Sequence, residues 1–222
     1  MKHKYNLKDY KFNHLGQNLL LHPYKALFWK EKKILFLSDL HIGKAMHFRK
    51  SGIPVPEEVH KADFERLKFL FELYNPSRLI FLGDVFHSIY NAAWEEFRYL
   101  FTEIIKVRPE LVVGNHDILD PEHYAFMDVH THTLQIGPFI LSHEPLDEDP
   151  AFDLYNLCGH LHPSVLISGH SKQSFRVECF YFSEKRGILP AFGNFTGTSK
   201  LSGKMNGNKI FAVTDEKIIP LF

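Results

Sequence analysis

Ile34-Leu35-Phe36-Leu37-Ser38-Asp39-Leu40-His41 is the stretch that decides the fold. Four apolar residues in a row read as a strand buried on both faces, as in a parallel sheet. The run stops at Ser38, and a carboxylate and an imidazole follow, two residues apart. The pattern recurs down the chain. Leu79-Ile80-Phe81-Leu82 precedes Gly83-Asp84, and Leu111-Val112-Val113 precedes Gly114-Asn115-His116-Asp117. Phe139-Ile140-Leu141 precedes Ser142-His143-Glu144, and a weaker run, Leu154 to Cys158, precedes Gly159-His160-Leu161-His162. Ligands bind beyond the carboxyl ends of strands in α/β sheets, so these strand ends are expected to converge on one edge.

Between the motifs the spacing predicts helices. Val59, Ala62, Leu67, Leu70 and Leu73 make a helical stripe over 57–74, which Pro76 closes. Trp94, Phe97, Phe101, Ile104 and Ile105 make an apolar face over 92–106. Upstream, residues 10–37 read as a β-meander, so that 1–33 form an N-terminal part of the same domain. Downstream, Ser174–Phe182 alternates Phe175, Val177, Cys179 and Tyr181 against Arg176 and Glu178. Lys209–Val213 and Lys217–Leu221 flank a Thr214-Asp215-Glu216 turn as a hairpin would. Strand–helix alternation followed by a β-rich end gives the class α/β.

The 222 residues are enough for one domain, 1–222, with a substantial core. The 21 phenylalanines are expected to fill it. Net charge is zero, which argues against a protein that grips long nucleic acid by charge alone. Cys158 and Cys179 form no C-x-x-C pair, so no disulfide framework is expected, and Cys158 is read as a small buried hydrophobe. No apolar run approaches the roughly 20 residues of a spanning helix. A protein without membrane contact, in the cytoplasm, is the expectation.

The motif residues suit phosphate-ester hydrolysis. Two metal ions about 3.5–4 Å apart neutralise the phosphate, lower the pKa of a bridging water and clamp the attacking and leaving oxygens. Holding two cations that close needs a bridging anion, for which Asp84 is the candidate. Asp39 and His41, and again His160 and His162, sit at i, i+2 and could share one side of an extended segment or of a turn just past the strand. Asn115 offers a neutral carbonyl oxygen and His143 an imidazole nitrogen. Such mixed donors favour Mn, with Fe, Zn or Ni compatible, over Ca. His116 can protonate a leaving alkoxide, and Asp117 could orient it through its other ring nitrogen.

In order and spacing, D-x-H, G-D, G-N-H-D, H and G-H-x-H over residues 34–163 resemble the calcineurin-like metallophosphoesterase superfamily. That resemblance implies a four-layer α/β/β/α sandwich with two mixed sheets. It implies one metal held by Asp39, His41, Asp84 and His162, a second by Asp84, Asn115, His143 and His160, and His116 as catalytic histidine. A metal-bridging hydroxide would attack phosphorus in line. One departure stands out: where many members carry an acid shortly after the G-D, this chain has His87. Leu40 to Lys44, His47-Phe48-Arg49 and Gly52 to Pro56 narrow the resemblance to bacterial DNA-ligase-associated metallophosphoesterases. His22-Pro23 to Trp29 and Leu189 to Thr196-Gly197 fit the same group. That implies a phosphodiesterase or nuclease acting on DNA in repair, functionally associated with a ligase and a helicase.

Substrate contacts are expected from Arg49, which could clamp a phosphate oxygen, and from His87 and His47, with Lys44 a weaker candidate. The plainer reading of Arg49 is a salt bridge to Glu57 or Glu58. Among 15 histidines, His130-Thr131-His132 copies the H-x-H spacing but lacks the glycine before it, and Ser168-Gly169-His170 reads as a turn. Two other functions compete. A small-nucleotide or cyclic-nucleotide phosphodiesterase, or a phosphomonoesterase, would suit the neutral charge. A scaffold that binds protein partners would have little use for His116 and a full ligand set.

Overall fold

A strand divides its side chains between two sides, and this chain needs both sides apolar. The computed structural model describes residues 7–44, 59–87, 90–147, 153–168, 174–194, 196–201 and 207–221. Its first sheet runs in chain order: β1 (Tyr10–His14), β2 (Gln17–His22), β3 (Ala26–Trp29), β4 (Ile34–Leu37), β5 (Arg78–Phe81), β6 (Glu110–Val112) and β7 (Asp128–His130). The pairs from β1 to β4 are antiparallel, which is the expected meander, and those from β4 to β7 are parallel. All four residues of β4 are buried. Leu35 and Leu37 enter one hydrophobic layer, Ile34 and Phe36 another.

The first layer lies under the crossover helices, α1 (Val59–Tyr74) and α2 (Ala92–Tyr99). Phe64, Leu67 and Leu70 of α1 and Trp94 and Phe97 of α2 pack with Leu79, Phe81 and Leu111. Asn91 starts α2, its side-chain oxygen accepting from Ala93 N at 3.0 Å. The helix expected over 92–106 is present, but from Leu100 to Ile105 it widens into a π-helix, closed by Lys106 N donating to Phe101 O. The wider turn rotates the stripe, so Phe101 stays buried while Ile104 is 50% exposed.

The second layer lies between two sheets. The second sheet is built from β8 (Leu134–Ile136), β9 (Phe139–Leu141), β10 (Tyr155–Cys158), β11 (Pro163–Ser168), β12 (Ser174–Phe182), β13 (Arg186–Ile188), β14 (Ser199–Lys200), β15 (Lys209–Val213) and β16 (Ile218–Pro220). Their order is β14-β11-β12-β13-β10-β9-β8, with β15 joined to β12 and β16 to β15. β10 runs parallel to both β9 and β13, so this sheet is mixed as well. Trp29, Phe36, Phe139, Phe180, Phe182 and Phe211 fill the space between the sheets. Truncating one such ring to alanine typically costs about 3–5 kcal/mol, a large share of a domain's stability.

β12 corrects a detail. The alternation put Cys179 and Tyr181 on its apolar face, and these do pack, with Val165 and Ile210, in a small outer cluster. The larger rings, Phe180 and Phe182, belong to the opposite, inter-sheet face, while Phe175 is 60% exposed. The C-terminal half of this strand is apolar on both sides, where alternation loses its meaning. The tail hairpin forms as expected, Val213 opposite Ile218.

One buried histidine links fold to pH. His22 is 1% exposed, and its Nδ1 accepts from Tyr24 N at 2.9 Å. Burial lowers its pKa from 6.5 to about 4. Its neutral form therefore contributes stability that is complete above pH 6.5 and is lost as pH falls toward 4, on the order of 2–3 kcal/mol. His22→Asn keeps an acceptor for Tyr24 and should flatten that loss. Urea melts at pH 7.5 and 4.5 measure it, and equal acid losses in both proteins would exclude this histidine as the cause.

Candidate metal centre

Both sheets bring strand ends to one place. β4 leads into Asp39 and His41, β5 into Asp84, β6 into Asn115 and His116, β9 into His143, and β10 into His160 and His162. Two groups of donors gather there, Asp39–His41–His162 and Asp84–His143–His160, each with its ligand atoms within 4.8 Å of one another. In the first, His162 Nε2 is 3.1 Å from Asp39 Oδ1, and His41 Nε2 is 4.0 Å from the same oxygen. In the second, His143 Nε2 is 3.0 Å from Asn115 Oδ1, 3.1 Å from His160 Nδ1 and 3.4 Å from Asp84 Oδ2. Asp84 Oδ2 is also 3.7 Å from His41 Nε2, so one carboxylate oxygen faces both groups.

Each carboxylate has one oxygen anchored and one turned inward. Asp39 Oδ2 accepts from Ser38 Oγ and from His160 N, the latter at 3.0 Å. Asp84 Oδ1 accepts from His116 N at 2.9 Å. Asp39 Oδ1 and His41 Nε2 are buried without a hydrogen-bond partner of proper geometry. Orphaned buried donors and acceptors are costly, and a cation would satisfy both. The imidazoles are oriented from behind: His143 Nδ1 lies 2.9 Å from Leu82 O, and His162 Nδ1 2.9 Å from Gly197 O. A backbone carbonyl there fixes the proton on Nδ1 and leaves Nε2 free to ligate. His41 Nδ1 instead meets His87 Nδ1 at 3.2 Å.

The electrostatics fit a cation site. Burial would raise Asp84, but the hydrogen bond and charge of His143 and the amide of His116 outweigh it and hold the carboxyl at about 2. Burial would likewise lower His143, but Asp84 and Asp39 lift it to about 9. His41 falls to about 3 because burial outweighs the pull of Asp39. The acids lift His143 and His162 toward positive charge while burial keeps His41 neutral, and a divalent ion would supply charge to such a set without a proton.

The backbone is strained at this spot. Asp39, His41, Asp84, His160 and His162 all have left-handed φ, between 43° and 64°. Left-handed backbone in residues other than glycine costs on the order of 1–3 kcal/mol each and clusters at functional sites. The motif glycines are explained by proximity. A Cβ on Gly159 would run into Ser38 Oγ and Asp39 Oδ2, and one on Gly114 into the carboxyl and amide of Asp84.

A calcineurin-like phosphoesterase family model matches residues 32–187, a span containing every donor named above. The chain belongs to that family. No curated protein matches the sequence. Among solved structures, the Pseudomonas putida nuclease MPE is similar with a TM-score of 0.79 and 26% identity, covering 96% of this chain and 100% of that one. The phosphoesterase YfcE from E. coli has a TM-score of 0.44 and 16% identity, over 85% of this chain and 97% of its own. A metallophosphoesterase from Sphaerobacter thermophilus has a TM-score of 0.36 and 19% identity, over 81% and 82%. The chain is thus a metal-dependent phosphoric ester hydrolase of the calcineurin-like kind.

Within this phosphoesterase site, Asp117 departs from expectation. Its carboxylate does not hold the His116 ring; it accepts from Asp84 N at 2.8 Å, Gly114 N at 2.9 Å and Phe86 N at 3.1 Å. Burial raises its pKa to about 6 despite those donors. Asp117 therefore ties the β5 and β6 loops together, and positions His116 only through the backbone. His116 stands beside the first donor group, its ring centroid 5.3 Å from that of His41 and 4.7 Å from that of His87. Arg49 and His47 lie outside the described residues. His130 points elsewhere, to Glu110 Oε2 at 3.1 Å. Sequence reasoning gave no role to Ser38 or to the carbonyl of Gly197. Ser38 stood inside the first motif and could have been found there. A carbonyl 35 residues beyond His162 leaves no trace in side-chain chemistry.

Proposed function

We propose that this phosphoesterase is a binuclear enzyme hydrolysing phosphodiester bonds in nucleic acid. The observation that carries the reading is Asp84 Oδ2, which faces His41 Nε2 on one side and His143 Nε2 on the other. Asp39, His41, Asp84 and His162 would hold one cation, and Asp84, Asn115, His143 and His160 the other. Divalent ions there, manganese first and iron, zinc or nickel suited to the same mixed donors, would supply Lewis acidity and neutralise the phosphate.

The chain's own residues do the rest. His116 is fixed to the bridging carboxylate through its backbone N–H and gives a proton to the leaving oxygen. His87 packs tilted against the His116 ring and takes a place beside the substrate, with Arg49 and His47 as further phosphate contacts. Asp117 keeps His116 and Asp84 in register. Support for nucleic acid comes from the similarity to a protein described as a nuclease. The same reading puts the enzyme in the cytoplasm, as one domain, working alongside a DNA ligase and a helicase. The two free buried cysteines suit a reducing compartment.

The test is purified protein with Mn²⁺ or with chelator, offered a single-stranded oligonucleotide, a cyclic nucleotide, a mononucleotide and p-nitrophenyl phosphate. The oligonucleotide is expected to be cleaved with the highest kcat/KM, and chelator to stop it. Faster turnover of mononucleotides, or silence with every divalent ion, overturns the reading.

A further inference from the structure

An aromatic step sits beside the metal centre and has no part in it. Tyr90 is 45% exposed. Its ring stacks on that of His123, with centroids 4.7 Å apart and planes 22° apart. Trp94 lies 5.2 Å from both rings and is nearly buried, its indole Nε1 without a hydrogen-bond partner. Aromatic rings normally enter the core; an exposed tyrosine lying flat on a second ring keeps a broad surface at the solvent boundary.

The step is continuous with the candidate site by two routes. Asn91, next to Tyr90, touches the turn that carries His41: a Cβ on Gly43 would collide with the Asn91 amide. That turn is held against the β5 loop by Ile42 N to Val85 O at 2.8 Å and His87 N to Ile42 O at 3.0 Å. The second route is the loop from His116 to His123. It passes Ile118, 73% exposed, and is pinned where Leu119 N donates to Tyr124 Oη at 3.3 Å. One chain segment, with Ile118 exposed on it, thus joins His116 to the Tyr90–His123 pair.

The charges around it choose the ligand. Glu95 accepts from the Tyr90 hydroxyl, and Asp120 and Glu122 flank His123, while Arg98 is engaged by Glu95 at 2.9 Å. Such a surface repels a phosphate but not a planar, uncharged ring. We propose that Tyr90 and His123 form a stacking site for one unpaired nucleobase of the substrate strand, displaced from the scissile phosphate on the side of the site where Asn91 meets the Gly43 turn. The proposal rests on the nucleic-acid reading above and adds to it a requirement that the strand be unpaired there. A base within a duplex has both faces covered, so it cannot use a platform of this kind.

Stacking is sequence-tolerant, and loss of one aromatic partner lowers affinity for single strands by about tenfold or more. The experiment compares kcat/KM for a single-stranded oligonucleotide with that for methyl p-nitrophenyl phosphate, a diester without a base. Tyr90→Ala is expected to lower the oligonucleotide-to-diester ratio about tenfold, mainly through KM, and Tyr90→Phe to restore it. Tyr90→Phe also removes the hydroxyl bond to Glu95, so restoration separates the ring from that bond. A second reading uses Trp94. Trp29 is 1% exposed in the inter-sheet core, so quenching of tryptophan emission by the oligonucleotide should report Trp94 and weaken in Tyr90→Ala. An unchanged ratio with unchanged quenching overturns the stacking site. If the parent protein cleaves the small diester but no oligonucleotide, the nucleic-acid reading fails, and this proposal with it.

Discussion

Asp84→Asn should lower kcat by at least about 10³-fold and reduce bound metal from about two ions per chain to about one. The substitution is nearly isosteric. Its side-chain oxygen can still accept from His116 N, so the β6 loop keeps its anchor. What disappears is the negative charge between His41 and His143. Two cations held close together repel strongly at the low effective dielectric of a buried site, and only an anion between them offsets that repulsion. Metal content after dialysis gives the stoichiometry, and a thermal melt without metal shows whether the fold is kept. A variant that still binds two ions and turns over at the parent rate would remove Asp84 from the bridge.

His116→Ala should lower kcat by about 10²–10⁴-fold on a diester whose leaving group is an alkoxide. On a p-nitrophenyl ester the loss should be much smaller, because that oxygen leaves without needing a proton. The dependence on leaving group is the informative part. His116 binds through its backbone to Asp84 Oδ1, and alanine retains that bond, so the metal donors stay in place. A loss equal across leaving groups would show that the ring positions substrate instead of passing a proton. A proton donor also predicts that metal affinity is little changed, which separates this variant from Asp84→Asn.

Much of this was legible in the sequence. β4 and β9 are, and β5 and β6 after a first charged residue become, apolar runs of Val, Leu, Ile and Phe with polar motif residues shortly beyond, and a strand largely buried on both sides leaves little else possible. The donors were legible because Asp, Asn and His at strand ends have few other uses in such numbers. What stayed hidden depends on distant partners. The role of Asp117 is set by three amides that come from two loops, and sequence adjacency to His116 pointed to the ring instead. Ile104 keeps helical spacing with Phe97 and Phe101, and only the switch to a π-helix turns it outward. The Tyr90–His123 stack joins residues whose neighbours carry no motif.

The left-handed backbone at Asp39, His41, Asp84, His160 and His162 narrows what evolution can do here. Each of these positions must satisfy two filters at once, a donor atom and a tolerable positive φ. Asn, Asp and His pass the second filter more easily than other side chains, and glycine passes it freely but brings no donor. β-branched residues fail it outright, and glutamate, which has the right chemistry, gains nothing from a local hydrogen bond there. Drift at these positions is therefore channelled through a very small alphabet. A lineage that abandoned catalysis would be expected to fill them with glycine or asparagine before any other residue, leaving a recognisable fossil of the lost site.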